Sequence, residues 1–326
     1  MTKKKRGRPK KVLRNRNPYG RYPIRSQVKR YNEKSKHYYS QNTHRNRCRL
    51  LRLMTEQIVE LGAKNNALKW NKEDILRWKT DIDTRLENST KRKYWRILRD
   101  FLDYYNIKII EDMLHDKDIR MPQVPPKEIF TLDEETIWKI HDASFEIKGW
   151  PGEILRFVTL AYPFTGLRPS ELRTLRYEDL DLDNWIFQVS TPKGEDSYGC
   201  KRSVGVPPIL RESWTEFMKT RKKYLKRYGL PEDYEFLFPY RARYKLKGCW
   251  ESKWNEMKRE LNGISGIEFL WKDYRSSFCQ MAIDKGANLQ AVSKVMGHQT
   301  TRTTESYYGR IRDMDAIKEI DSVFNV

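Results

Sequence analysis

At 326 residues, with 33% charged and 13% aromatic side chains, the chain is long enough for two domains, and no apolar run approaches the length of a membrane-spanning helix. The net charge of +21 attracts polyanions and releases counterions from DNA or RNA, so it nominates a nucleic-acid partner without naming a reaction. Four cysteines (Cys48, Cys200, Cys249 and Cys279) and five histidines are scattered without ligand spacing, so neither a disulfide framework nor a metal site or other cofactor is expected.

The N-terminus is basic and has no apolar stretch, which argues against a secretory signal and for a cytoplasmic or nucleoid-associated protein. Residues 1–31 hold thirteen Lys and Arg, and the first acidic residue is Glu33. Segment 1–40 therefore reads as a basic tail, disordered on its own. Within it, "KKRGRPKK" resembles an AT-hook, in which an Arg-Gly-Arg ribbon enters a narrow minor groove. Arg6, Arg8, Lys10 and Lys11 are its DNA-binding candidates, and a generic phosphate-binding arm fits the same residues.

From residue 41 to 118 the pattern is helical. Leu50, Leu51, Met54, Ile58 and Leu61 form one stripe, closed by Gly62. Ile75, Trp78 and Ile82 form a second, and Trp95, Leu98, Phe101 and Leu102 a third. All three read as core, with Arg and Lys on the opposite faces. Residues 119–130 carry Pro122, Pro125 and Pro126 and read as an extended linker, with the domain boundary near residue 128. A capping box over Thr131–Glu134 opens the second domain, 131–326. There, 185–190 and 201–207 read as two strands around a polar loop, with helices elsewhere. The expected fold class is mainly α with a small antiparallel β-sheet.

Several places in the second domain are candidates for chemistry. "TGLRPSELRTLR" puts Gly166 in a turn, Arg168 before a helix start at Pro169, and Glu171 where it can hold the guanidinium. An arginine at a helix N-terminus suits an oxyanion or phosphate, although an ordinary salt bridge gives the same pattern. Lys272 and Arg275, at i and i+3, project from one helix face, which fits an anion site or a solvated surface. Lys193 lies in the loop between the two strands. Gly297 reads as a helix C-cap that leaves His298 in a turn, and the threonines that follow can cap a new helix. Tyr307 and Tyr308 lie about 100° apart on that helix, so only one of them can share a pocket with His298.

The ordered set of Arg in "TGLRPSEL", a loop Lys, a [H/K]-x-x-R pair, "VMGHQTTRTTESYY" and then Tyr resembles the tyrosine recombinase (phage integrase) family. The resemblance spans about residues 130–312, and the 41–118 module is similar to that family's helical, SAM-like core-binding domain. It implies a catalytic domain of the DNA breaking-rejoining type. In this chemistry a tyrosine attacks a DNA phosphodiester, forms a 3′-phosphotyrosyl link and frees a 5′-hydroxyl, without metal or ATP.

On this resemblance Arg168 and Arg275 neutralise phosphate oxygens, Lys193 protonates the leaving oxygen, and His298 bonds the phosphate or assists proton transfer. Glu171 orients Arg168 from behind. The usual interval of nine from the histidine selects Tyr307 as the nucleophile, with Tyr308 beside it. Lys272 stands where many members have histidine, so it can donate to phosphate but not act as a base near neutrality. Met296 replaces a usual leucine. The implied partners are double-stranded DNA at a specific recombination site and further copies of the chain, as a tetramer. The segment from Met314 to Phe324 reads as a helix that docks on a neighbouring subunit or folds back on its own core. A type IB topoisomerase-like nicking-closing enzyme and a non-catalytic DNA-binding relative are the alternatives.

Overall fold

The computed structural model describes residues 23–125, 129–192, 199–243, 245–298 and 300–308, with backbone alone at 303 and 306–308. The chain forms two compact units that divide at residues 127 and 128.

The first unit contains five α-helices among the described residues: α1 (Ile24–Ser35), α2 (Gln41–Glu60), α3 (Lys72–Arg85), α4 (Asn88–Tyr104) and α5 (Ile109–His115). The stripes expected from the sequence are its core. Leu51, Met54, Ile58, Trp78, Trp95, Leu98 and Phe101 are buried, and Trp78 meets Trp95 edge-on with centroids 5.2 Å apart. Asn71 caps α3 through a reciprocal box with Asp74.

Helix α1 corrects the expected disordered tail. Ile24, Val28 and Tyr31, at i, i+4 and i+7, are buried in this core, and Tyr31 packs edge-on against Phe101 and Tyr104. Gln27, also buried, spends both ends of its amide on the 66–67 turn: Nε2 donates to Asn66 Oδ1 at 2.9 Å, and Oε1 accepts from Ala67 N at 2.9 Å. The interleaved cations dilute the hydrophobic signal of α1 but do not break its period. The AT-hook-like residues Arg6, Arg8, Lys10 and Lys11 lie outside the described residues.

The second unit opens with α6 (Glu134–Ala143), α7 (Gly149–Thr165) and the short α8 (Pro169–Arg173). The cap of α6 is Asp133, whose side chain accepts from Thr136 N at 2.7 Å; Thr131, the expected cap, lies two residues too early. Strands β1 (Leu180–Asp181), β2 (Ile186–Val189) and β3 (Arg202–Gly205) form an antiparallel sheet in that order. Phe187 pairs with Val204 and both are buried. Helix α9 (Pro208–Lys226) follows, then a separate hairpin of β4 (Pro239–Ala242) and β5 (Lys245–Gly248). Helices α10 (Glu251–Ser265), α11 (Trp271–Asp284), α12 (Leu289–Met296) and α13 (Thr301–Tyr308) complete the described chain.

Helix α7 is apolar on nearly every side and packs against α6, α9 and α11, so it forms the axis of this core. Arg221 of α9 is almost fully buried and donates to the carbonyls of Glu232, Tyr234, Phe236 and Leu237, fastening the segment before β4. Burial pulls this guanidinium down to about 10, which still leaves it charged at neutral pH. The fold is mainly α with small antiparallel sheets, as expected.

Replacement of Tyr31 by Ala is expected to destabilise the first unit by about 3 kcal/mol in urea unfolding, the usual loss for a buried aromatic ring. A loss below about 0.5 kcal/mol, the range of surface substitutions, would mean that α1 is not part of the core.

Candidate phosphate-binding site

The site is assembled where two helices end. Helix α7 stops at Gly166, which adopts φ +63° and leaves its carbonyl outside the helix ladder. A side chain here would also strike the Phe278 ring, so both backbone conformation and packing demand glycine. Two residues on, Arg168 is extended and Pro169 is the first helical residue of α8. Tyr162 Oη donates to Pro169 O at 3.0 Å and fixes this start to α7. Glu171 then accepts from the Arg168 backbone N at 2.8 Å and from Arg168 Nη1 at 2.8 Å.

Helix α12 ends at Gly297, again left-handed at φ +66°. Its cap uses the carbonyls of Ser293 and Lys294, which accept from the Gly297 and His298 amides. The next three carbonyls each receive a guanidinium. Val295 O accepts from Arg202 Nε at 2.7 Å, Met296 O from Arg275 Nη2 at 2.5 Å, and Gly297 O from Arg168 Nη2 at 3.3 Å. Arg275 also donates through Nη1 to Gly166 O at 2.6 Å, so it bridges both helix ends. Carbonyls freed at a helix C-terminus carry partial negative charge, and here they collect cations.

His298 follows directly. Arg275 Nη2 lies 3.1 Å from His298 Nε2. A guanidinium has only donors, so Nε2 accepts, and Nδ1–H donates to the buried Thr304 Oγ1 of α13 at 2.8 Å. Burial and then Arg275, Arg168 and Arg202 push His298 down to about 4, so its ring is neutral near pH 7. Burial of Glu171 opposes its ionisation, but the hydrogen bonds and charge of Arg202 and Arg168 prevail and hold it at about 2.

The structure thus brings Arg168, Glu171, Arg275 and His298 together. Although Lys272 and Arg275 lie on the same side of α11, Arg275 is buried, whereas Lys272 is exposed and makes no side-chain hydrogen bond or ion pair among the described residues. Spacing fixes an angle around a helix, not a depth. Lys193 lies outside the described residues. Tyr307 and Tyr308 belong to α13. Thr304 sets the face of α13 that meets His298, and by helical register positions 307 and 308 fall about 60° and about 40° to either side of it.

Arg202 escaped the sequence reading. It grips both oxygens of Glu171, Nη1 at 3.2 Å from Oε1 and Nη2 at 2.7 Å from Oε2. The one available signal was a charged residue within "KRSVGVP", where an alternating strand leads one to expect packing. Outside this cluster, Arg241, Arg243, Lys245 and Lys247 of the β4–β5 hairpin are exposed and form no ion pair among the described residues. The base of that hairpin is tied to α8, because Arg173 Nη1 donates to Cys249 O at 2.9 Å.

Residues 131–313, more than half of the chain, match the phage integrase family. The chain belongs to the phage integrase family. Tyrosine recombinase XerA of Thermococcus kodakarensis is 29% identical over 152 residues, covering 47% of this chain and 49% of that protein. XerA of Pyrococcus furiosus is 28% identical over 193 residues, covering 58% of this chain and 60% of that protein. The matched stretches therefore span about half to three-fifths of these relatives. Among solved structures, XerH site-specific recombinase bound to difH superposes with a TM-score of 0.65 at 15% identity, over 93% of this chain and 96% of that one. The Tn1549 transposon integrase in complex with transposon right end DNA gives 0.64 at 18% identity, over 93% and 99%. These two likenesses establish the shared fold. Among the described residues of this integrase-family chain, no helix is long and apolar enough to cross a membrane.

The two shifted groups set an acid limit. His298 moves from 6.5 to about 4, and Glu171 from 4.5 to about 2. For both, the unfolded chain binds protons at higher pH than the folded chain, so stability falls as pH drops. His298 acts between pH 6.5 and 4, and Glu171 between 4.5 and 2. His298→Asn is expected to flatten the fall of the unfolding midpoint between pH 6.5 and 5 while leaving the steeper loss below 4.5. An unchanged slope in the upper window would refute the assignment.

Proposed function

We propose that this chain is a site-specific DNA recombinase that cleaves and rejoins DNA strands through a 3′-phosphotyrosyl intermediate. The observation that carries this reading is the convergence of Arg168, Arg275 and His298 on the end of α12, immediately before the helix that holds Tyr307. Family membership and relatives named as tyrosine recombinases favour it over a topoisomerase or a non-catalytic DNA-binding protein.

In the proposed reaction the Tyr307 oxygen attacks phosphorus in line with the 5′-oxygen, which leaves with a proton from Lys193. Arg168 and Arg275 neutralise the non-bridging oxygens, the main electrostatic demand of phosphoryl transfer. The 5′-hydroxyl of another strand then attacks the phosphotyrosyl bond, so the bond energy is retained and neither ATP nor a metal is needed. His298 begins neutral. An arriving phosphodiester offsets the arginine charge and raises its proton affinity, which suits it to receive a proton and bond the phosphate. Lys272 contributes from the rim rather than from the cluster.

Double-stranded DNA is the proposed substrate, bound by the helical first unit and by cations of the second, with four copies of the chain acting on two duplexes. A nucleoid-associated location follows from that substrate. Tyr307→Phe is expected to abolish covalent adduct formation on nicked suicide duplexes tiled across the DNA on either side of the chain's own gene. Tyr308→Phe should retain adduct formation, and the reverse result would transfer the nucleophile to Tyr308.

The β4–β5 hairpin is a proposed backbone contact of the same duplex. Arg243→Ala/Lys245→Ala/Lys247→Ala should weaken duplex binding and reduce the slope of log affinity against log salt by about 1–3, according to how many of the three cations meet phosphates. An unchanged slope would remove the hairpin from the DNA surface.

A further inference from the structure

We propose that Arg202 is a positioning residue that compensates the charge of Glu171, so that the charge of Arg168 remains available to the scissile phosphate. This rests on the reading of the site as a phosphodiester pocket.

The Glu171 carboxylate is almost inaccessible, with a side chain 1% exposed. It is also saturated. Oε1 accepts from Arg168 Nη1 and Arg202 Nη1, and Oε2 from the Arg168 backbone N and Arg202 Nη2. A carboxylate has about four acceptor positions. The two arginines that share them are not equivalent. Arg202 is 7% exposed and holds both oxygens, whereas Arg168 is 17% exposed and reaches the carboxylate through one side-chain nitrogen.

Charge counting gives this asymmetry its meaning. Arg168, Arg202 and Arg275 against Glu171, with His298 neutral, leave two positive charges at the pocket. Without Arg202 the buried carboxylate cancels Arg168, and one positive charge remains. A dispersed negative charge in the transition state needs both. Glu171 fixes the geometry of Arg168, and Arg202 removes the electrostatic cost of having it there.

Arg202 also sets the height of the His298 turn. Its Nε donates to Val295 O, and its stem lies directly under Gly297, where a Cβ would come within 2.9 Å of Cδ and Nη1. Glycine at this point is therefore a condition for the close approach, besides satisfying the left-handed backbone. One side chain thus connects β3, the start of α8 and the end of α12.

The test is a double-mutant cycle read as the first-order rate of covalent adduct formation at saturating duplex, using the duplex recovered with the wild-type chain. Adduct formation by the wild-type chain tests the recombinase reading, and the Arg202 series tests this inference separately. Arg202→Met is expected to slow adduct formation by about 100-fold, the scale for losing one preorganised electrostatic contact, with duplex affinity changed by less than about threefold. Adding Glu171→Gln removes the stranded carboxylate and is expected to recover at least about tenfold of that rate. A merely structural role predicts the opposite, a double variant as slow as Arg202→Met or slower. Should Arg202→Met fail to fold, Arg202→Gln, which keeps a donor toward Glu171 without its charge, carries the same comparison. The proposal is overturned if the Arg202 variant cleaves within about threefold of wild type, or if Glu171→Gln does not accelerate it.

Discussion

Three successive carbonyls at the end of α12 hold three guanidiniums, and the arrangement of the site follows from that contact. Each of Val295, Met296 and Gly297 is left without an intrahelical partner because the helix stops. Their acceptors come from one stretch of backbone, so the spacing between Arg202, Arg275 and Arg168 is set by peptide geometry rather than by side-chain packing. Side chains move among rotamers, whereas a helix end anchored by its own cap does not. Gly297 makes the cap possible, and the Ser293 and Lys294 carbonyls close it. His298 is then carried at a fixed position beside Arg275.

Like charges gathered at one helix end repel one another, and more strongly as water is excluded. The opposing terms are the partial negative charge of the α12 terminus, the Gly166 carbonyl and the Glu171 carboxylate. The proton affinity of His298 is depressed first by burial and then by the charges of Arg275, Arg168 and Arg202. A site of this kind is stable but unfinished, because it holds more positive charge than its own acceptors remove. On the proposed function, an anion with several oxygens completes it.

How much of this was legible depended on whether the relevant contact was local. Arg168, Pro169 and Glu171 lie within one turn, so their geometry followed from helix-start rules, and Gly297 announced its own cap. The core stripes of α2, α3 and α4 were equally clear from their period. Arg202 was hidden because its partners are Glu171, 31 residues away, and Val295, 93 residues away. The exposure of Lys272 beside a buried Arg275 was not legible, because helical spacing carries no information about burial. Helix α1 was lost in charge: Ile24, Val28 and Tyr31 kept their period, but composition outweighed it. The relation of Tyr307 to Tyr308 stayed a matter of family spacing, since both positions flank the Thr304 face.

The dependence on α12 has a consequence for the chain while it is being made. Arg168, Arg202 and Arg275 are all synthesised before Val295, Met296 and Gly297. Until that helix end emerges, the first unit can form its core, while Arg168 and Arg202 have Glu171 and Arg275 has the Gly166 carbonyl but the three lack the common register that α12 supplies. On the proposed function, a nascent or prematurely terminated product that ends before residue 295 would carry the DNA-attracting charge without the ability to break a strand. On that reading the order of translation places the hazardous step last.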